Sequence, residues 1–319
     1  MAAGLFLLTS QAGAQLPGPE KPARIGFLSI ADSEQNHGFA VLRQVLRDLG
    51  YNEGRNVVFD TRFARGDYAA IPKFAAELVA VPVDIIVTEG GDDVARAAVA
   101  ATMTIPIVMA TSGDPVGAGL VKSLARPGGN LTGFTLETPG INSKRLDLLR
   151  SALPGISAVT VLLNPANGTT AWRWRETQAA AQTLGVTVTP VEAASVDALR
   201  ALRPDAFDRA TPVIILPDGM FGNHRQDIIA LFTAARVPGI YPQREYAEMG
   251  GLIAYGTNVP DNFRRAAEYA DRIIKGTKPA DLPVQEPVHF DFVVNLRVAR
   301  LLGITLSPSF VSVAGEVIE

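Results

Sequence analysis

The stretch DIIVTEGGDDVARAAVAATMTIPIVMA, residues 84–110, decides the fold. Ile85, Ile86 and Val87 form a short apolar run that turns polar at Thr88-Glu89. Gly90-Gly91 break it, and Asp92-Asp93 open a segment, 94–101, with apolar residues at helical spacing. A second apolar run, 105–110, follows at once. Strand, loop, helix and strand in that order form a βαβ unit, whose crossover makes the two strands parallel. Runs without polar alternation are strands covered on both faces.

Outward from this unit the same plan recurs. Upstream lie a strand at 24–29, a helix with Phe39, Val41, Leu42, Val45, Leu46 and Leu49 stopped by Gly50, a β-branched run at 57–63 and a helix at 71–79. Downstream come strands at 159–163, 186–191, 213–216 and 237–241, separated by helices at 172–184, 196–202 and 225–235. Leu49-Gly50-Tyr51 is echoed by Leu184-Gly185-Val186, and Ile105-Pro106-Ile107 by Val237-Pro238-Gly239. The chain therefore reads as α/β, with two Rossmann-like lobes built on parallel sheets. A further strand at 252–256, an amphipathic helix at 262–275, a connector at 278–284, a strand at 290–294 and a helix at 296–302 exceed two equal halves. That excess implies that the chain crosses between lobes more than once. The expected division is 23–136 plus 257–281 for lobe one and 137–256 plus 282–319 for lobe two.

Composition narrows the function. Among 319 residues, 29 are basic and 32 acidic, giving a net charge of -3, and no Lys/Arg run could follow a phosphate backbone, so nucleic acid is not an expected partner. With no cysteine there is no disulfide, zinc-thiolate site, iron–sulfur cluster or lipid-bearing thiol. His37, His224 and His289 have no metal-ligand spacing. No cofactor or metal is expected. Leu5-Phe6-Leu7-Leu8 followed by Ala12-Gly13-Ala14 reads as a signal peptide over 1–14, which implies a periplasmic protein that is not lipidated, although the usual basic start is missing before Lys21. No segment reaches the ~20 apolar residues that span a bilayer.

Ligands of open parallel sheets bind beyond the carboxyl ends of the strands. Those ends supply Ser29, Asp32, Thr88, Glu89, Gly90, Gly91, Asp92, Thr111, Ser112 and Asp114 in lobe one, and Asn164, Asn167, Asp218 and Tyr241 in lobe two. Trp172 and Tyr255 join them as candidates. Gly90-Gly91 at a helix start could hold a carboxylate, and Thr88, Thr111 and Ser112 offer hydroxyls. Asp114 or Asp218 could pair with an ammonium, while Trp172, Phe221, Tyr241 and Tyr255 could stack on a flat ligand. Plainer roles compete: Asp92 as a helix cap, Asp114 as a loop organiser, and Trp172 and Trp174 on different helix faces.

The motifs DPVGAGLV at 114–121, LARPGGNLTG at 124–133, KRL at 144–146, NPAN at 164–167, GGL at 250–252 and LLGITL at 301–306 with Pro308-Ser309 occur in one order. In this the chain resembles the substrate-binding proteins of ABC transporters that include tryptophan- and tyrosine-binding members. The resemblance implies a type 1 periplasmic-binding fold with three crossover segments, a small solute enclosed between lobes, and delivery to permease and ATPase subunits by a monomer without catalytic residues. Where that family commonly carries Gly-Gly-Thr-Pro, this chain has Gly90-Gly91-Asp92-Asp93 after Glu89. Carboxylates there would repel a ligand carboxylate, so the expected ligand is cationic, zwitterionic in an altered pose, or neutral and polar.

Other classes fare worse. Nucleotide, esterase-elbow and zinc-protease motifs are lacking, and too few residues precede the first strand for a DNA-binding module. Signalling through a membrane partner stays open. Arg43, Arg47 and Asp48 on one lobe, and Arg173 or Arg175 on the other, are candidate permease contacts or simply a solvated helix face.

Overall fold

A computed structural model of the chain describes residues 21–33 and 36–319, so the expected signal peptide lies outside the described residues. Lobe one starts with β1 (Ala23–Ser29), α1 (His37–Asp48), β2 (Val57–Phe63), α2 (Ile71–Val79), β3 (Ile85–Glu89), α3 (Asp92–Ala101), β4 (Ile107–Ser112) and β5 (Leu131–Thr135). Its sheet has the order β2-β1-β3-β4-β5 and every pairing is parallel. Helices cover both faces. Asn36 caps α1 by accepting from the Phe39 N–H, and α1 buries Phe39, Leu42 and Leu46. There the Phe39 ring meets Phe27 at 4.6 Å between centroids.

The second sheet is assembled from α4 (Ile141–Ala152), β6 (Ala158–Leu163), α5 (Thr170–Leu184), β7 (Thr187–Glu192), α6 (Val196–Ala201), β8 (Val213–Ile215), α7 (Gly219–Asn223), α8 (Arg225–Ala235), β9 (Gly239–Tyr241), α9 (Arg244–Glu248) and β10 (Ile253–Thr257). From β10 the chain enters α10 (Val259–Ile274), then β11 (Phe290–Asn295), α11 (Leu296–Leu302), α12 (Pro308–Ser312) and β12 (Glu316–Ile318). The order is β12-β11-β10-β9-β8-β6-β7.

The chain passes between the sheets three times. It leaves the first sheet after β5 and returns after β10, where Asn258 caps α10 by accepting from the Asp261 N–H. α10 lies against α1 and β4 and buries Phe263, Ala266, Ala267, Ala270 and Ile273 in the lobe-one core. The last passage runs beside β5: the Gln285 N–H donates to Gly133 O at 2.9 Å, and the Thr135 N–H to Gln285 O at 3.0 Å. Leu282 and Val284 are buried in lobe-one cores.

One pairing departs from the expected parallel sheets: β10 and β11 are antiparallel. The crossovers explain it. β10 ends where the chain leaves for α10, and β11 begins where it comes back, so the two neighbours point in opposite directions.

Candidate functional site

Where the carboxyl ends of the two sheets face each other, they enclose a cavity of about 90 Å³. It leads into an outer recess of about 300 Å³, sharing Asn36, Glu89, Arg225 and Gln243 with it. Lobe one contributes Ile30 and Ala31 after β1, Glu89, Gly90 and Gly91 at the β3–α3 turn, and Thr111 on β4. Lobe two contributes Asn167, Pro217, Asp218 and Gly219 from loops and helix starts, Gln243 before α9, and the arginines Arg173 of α5 and Arg225 of α8.

Asp218 is a hub. Its Oδ2 accepts from Asn167 at 2.8 Å, Asn164 at 3.1 Å and the Tyr68 hydroxyl of lobe one at 3.3 Å, while Oδ1 caps α7 through the Phe221 N–H at 3.1 Å. Burial and the Asp218 charge both push the Tyr68 hydroxyl well above its ordinary pKa, so it stays a donor. Arg173 is only 2% exposed. Its Nε donates to Glu137 at 2.6 Å and its Nη1 to Pro217 O at 2.9 Å. Glu137, on the first crossover, also holds Arg145 at 3.4 Å, and the Arg145 Nε donates to Tyr255 O in the middle of lobe two's β10. Burial disfavours the Arg173 charge, but Glu137, with Asp92 and Asp218, more than compensates.

Glu89 accepts from Ser29 Oγ at 2.6 Å. Burial raises its carboxyl pKa, against the pull of Ser29, Asn36 and Arg225. Arg225 donates to Gly222 O at 2.6 Å and to Gln243 Oε1 at 2.5 Å, and its guanidinium lies 5.5 Å from the Tyr246 ring centroid.

The expected acidic rim behaves differently from its reading as ligand-facing charge. Asp92 is buried and accepts from Ser112 Oγ, the Gly113 and Asp114 N–H groups, and Thr169 Oγ1 of lobe two at 3.0 Å. Asp93 accepts from the Gly168 N–H at 2.7 Å. Both carboxylates seal the lobes to each other, and only Glu89 of the cluster lines the cavity. The lobes are in close contact elsewhere too: a Cβ on Gly219 would stand 2.2 Å from Ile30 Cγ2, and one on Gly113 2.2 Å from Thr169 Cγ2.

Of the residues singled out in the sequence, Glu89, Gly90, Gly91, Thr111, Asn167 and Asp218 meet at the cavity, and Asp32 at the outer recess. Ser29 and Asn164 hold Glu89 and Asp218 from behind. Thr88 is wholly buried and Ser112 is engaged by Asp92. Asp114 accepts from the Gly117 N–H and organises its own loop. The rings lie apart. Tyr241 stacks on Tyr246 at 5.2 Å in the core, where Gly251 leaves space for its ring. Tyr255 stacks on Phe290, Phe221 is fully buried, and Trp172 lines a recess beyond the Asp92–Thr169 contact.

Arg173 corrects the reading that exposed it as a permease contact. It shares the buried face of α5 with Thr170, Thr177, Ala180 and Ala181, a helical spacing visible in the sequence. Arg225 carried no sequence signal beyond its place shortly after the Pro217–Met220 strand end.

A polar cavity sealed between two α/β lobes with three connecting passages defines a bilobal, type 1 periplasmic-binding fold. Residues 33–318 match the family described as ABC transporter substrate binding protein, and the chain belongs to that family. It is 24% identical over 252 residues to a "Tyrosine-binding protein" of Clostridioides difficile (strain R20291), covering 79% of this chain and 72% of that one. A conserved domain protein of Vibrio cholerae O1 biovar El Tor superposes with a TM-score of 0.85 at 27% identity, over 93% of this chain and 100% of the other. The ABC domain in complex with L-Trp from Streptococcus pneumonia has the same TM-score at 25% identity and the same coverage. Membership implies a small-molecule solute and ABC transporter partners.

Proposed function

We propose that the protein is the periplasmic solute-binding component of an ABC transporter, a monomer that encloses a small amino-acid-like solute and presents it to permease and ATPase subunits without transforming it. The observation that carries this reading is the cavity itself: charged and amide groups of both lobes converge on it, and further side chains tie the lobes together around it. Enclosure expels water and strengthens each polar contact with a ligand. Lobe one is taken as 23–136 with 257–285 and lobe two as 137–256 with 286–319, four residues beyond the expected boundary at 281, because Leu282 and Val284 pack in lobe-one cores and Gln285 bonds β5. Glu89, Gly90, Gly91, Thr111, Asn167 and Asp218, joined by Arg173 and Arg225, are the proposed contact residues.

The test is a thermal-shift screen with small-angle scattering on the same samples. A true solute raises the melting temperature in a saturable way, by about 2.7 kcal/mol of stabilisation at 100-fold excess over its Kd, and it reduces the radius of gyration as the lobes close. Stabilisation without compaction would favour an ordinary surface site instead.

A further inference from the structure

We infer that the solute is a compact zwitterion without an aromatic ring, an amino acid with a short side chain, which bridges Glu89 of lobe one and Arg225 of lobe two. This rests on the solute-binding reading above and concerns the same cavity.

The charges around the cavity differ in how fully they are used. Asp218 already takes four donors, and Arg173 is held by Glu137 and Pro217 O. Arg225 and Glu89 are the exceptions. The two Nη atoms of Arg225 are engaged, but its Nε is buried and has no hydrogen-bond partner among the described residues. A buried charged donor left unpaired is costly. Glu89 accepts from Ser29 and is also engaged by Asn36, whereas a carboxylate offers about four acceptor sites, so part of its capacity is unused. Both residues line the cavity and its outer recess. They sense each other electrostatically, yet no ion pair joins them among the described residues.

One unsatisfied positive group and one undersatisfied negative group thus face a shared space from opposite lobes. A ligand carrying both charges satisfies both and draws the lobes together. A lone anion would meet Glu89, and a lone cation Arg225, at contact range.

Size and shape set the rest. Small-molecule sites for drug-sized ligands run to roughly 300–1,000 Å³, whereas the inner cavity holds about 90 Å³, and a larger ligand would have to extend into the outer recess. Among the described residues no lining side chain is aromatic. The gap beside the charged pair is filled by Ile30, whose Cγ2 would stand 2.7 Å from a Cβ on Gly90 and 2.2 Å from one on Gly219.

Isothermal titration of the full chain tests this with four sets of probes: L-alanine, L-serine and L-threonine; the matched amines; the matched carboxylic acids; and L-tryptophan with L-tyrosine. At least one short amino acid should bind ten-fold or more tightly than its amine, its acid and either aromatic amino acid. Glu89→Gln should erase discrimination against the acid, and Arg225→Gln discrimination against the amine, with far-UV circular dichroism confirming that both variants fold. If an acid, an amine or an aromatic amino acid binds as tightly as the short zwitterions, the inference fails while the solute-binding reading stands. Silence from all four sets, with no small molecule released from denatured protein by mass spectrometry, overturns both.

Discussion

The two lobes repeat one fold but meet the cavity in different ways. Lobe one brings mostly backbone and small groups, Ala31, Gly90, Gly91 and Thr111, with Glu89 as its one charge, and it sends Asp92 and Asp93 across to fasten lobe two. Lobe two brings long polar side chains, Asn167, Arg173, Asp218, Arg225 and Gln243, each held by neighbours. A repeated architecture thus carries an asymmetric division of labour: lobe one supplies the latching carboxylates and a single charge at the cavity, and lobe two most of the polar side chains there. Such a pattern suits a cleft in which contacts that favour closure and contacts that select the solute can change independently.

The sharpest way to break this division is at Glu137, which serves both tasks. It neutralises Arg173 at the cavity and Arg145 at the crossovers, and these arginines are 2% and 1% exposed. Glu137→Ala leaves two buried guanidiniums without their carboxylate and should cost about 3–5 kcal/mol in urea unfolding. Gly219→Ala comes next, because its Cβ collides with Ile30 across the cleft and not with its own lobe. Overpacking of about 1–3 kcal/mol should fall on the closed form, seen as a roughly five-fold or greater loss of solute affinity and a larger radius of gyration with solute present. Thr169→Val removes one of four donors to Asp92. It should weaken closure by about 1 kcal/mol, read as faster solute release in stopped flow, with binding selectivity unchanged.

The smallest effect is directional. Burial raises the Glu89 pKa above that of the unfolded chain. Its contribution to stability is therefore complete below the unfolded carboxylate range and lost as pH rises through the raised value. Glu89→Gln suffers no such loss, so its melting temperature relative to the parent should climb as pH rises above the unfolded carboxylate range. A flat difference would place Glu89 in a more solvated setting.

Much of this was legible in the sequence because buried parallel strands announce themselves. Ile85–Glu89 and Ile107–Ser112 are apolar runs bounded by loop residues, and their ends did mark the cavity. β5 was harder to see. Gly133 sits in its middle at φ 140°, where a Cβ would lie 2.2 Å from Met109 O, so close approach of the neighbouring strand demands a residue that reads as a loop. The site was legible by segment but not by side chain. Asp92 occurs at the expected helix start, yet which way its carboxylate turns depends on Thr169, 77 positions away. Tyr241 ends a strand at the right level, but its ring goes to Tyr246 because Gly251 makes room there. Arg173 looked exposed because charge is usually solvated, and the Glu137 partner, with Pro217 O and the nearby aspartates, reverses that preference.

The passage of the chain into α10 has a consequence in time as well as in space. Phe27 and Phe39 share their core with Phe263, Ala266 and Ala270 of α10, so the first lobe to begin is not the first able to finish. More than 100 residues of lobe two separate β5 from the helix that completes its sheet's cover. Lobe two can gather most of its strands before that point, apart from β11 and β12. Such long-range closure slows folding and keeps apolar surface open meanwhile. Folding of lobe one is therefore tied to nearly the whole chain, and a fragment ending at Thr135 would hold all five strands of its sheet and still leave the Phe27–Phe39 face of that sheet uncovered by α10.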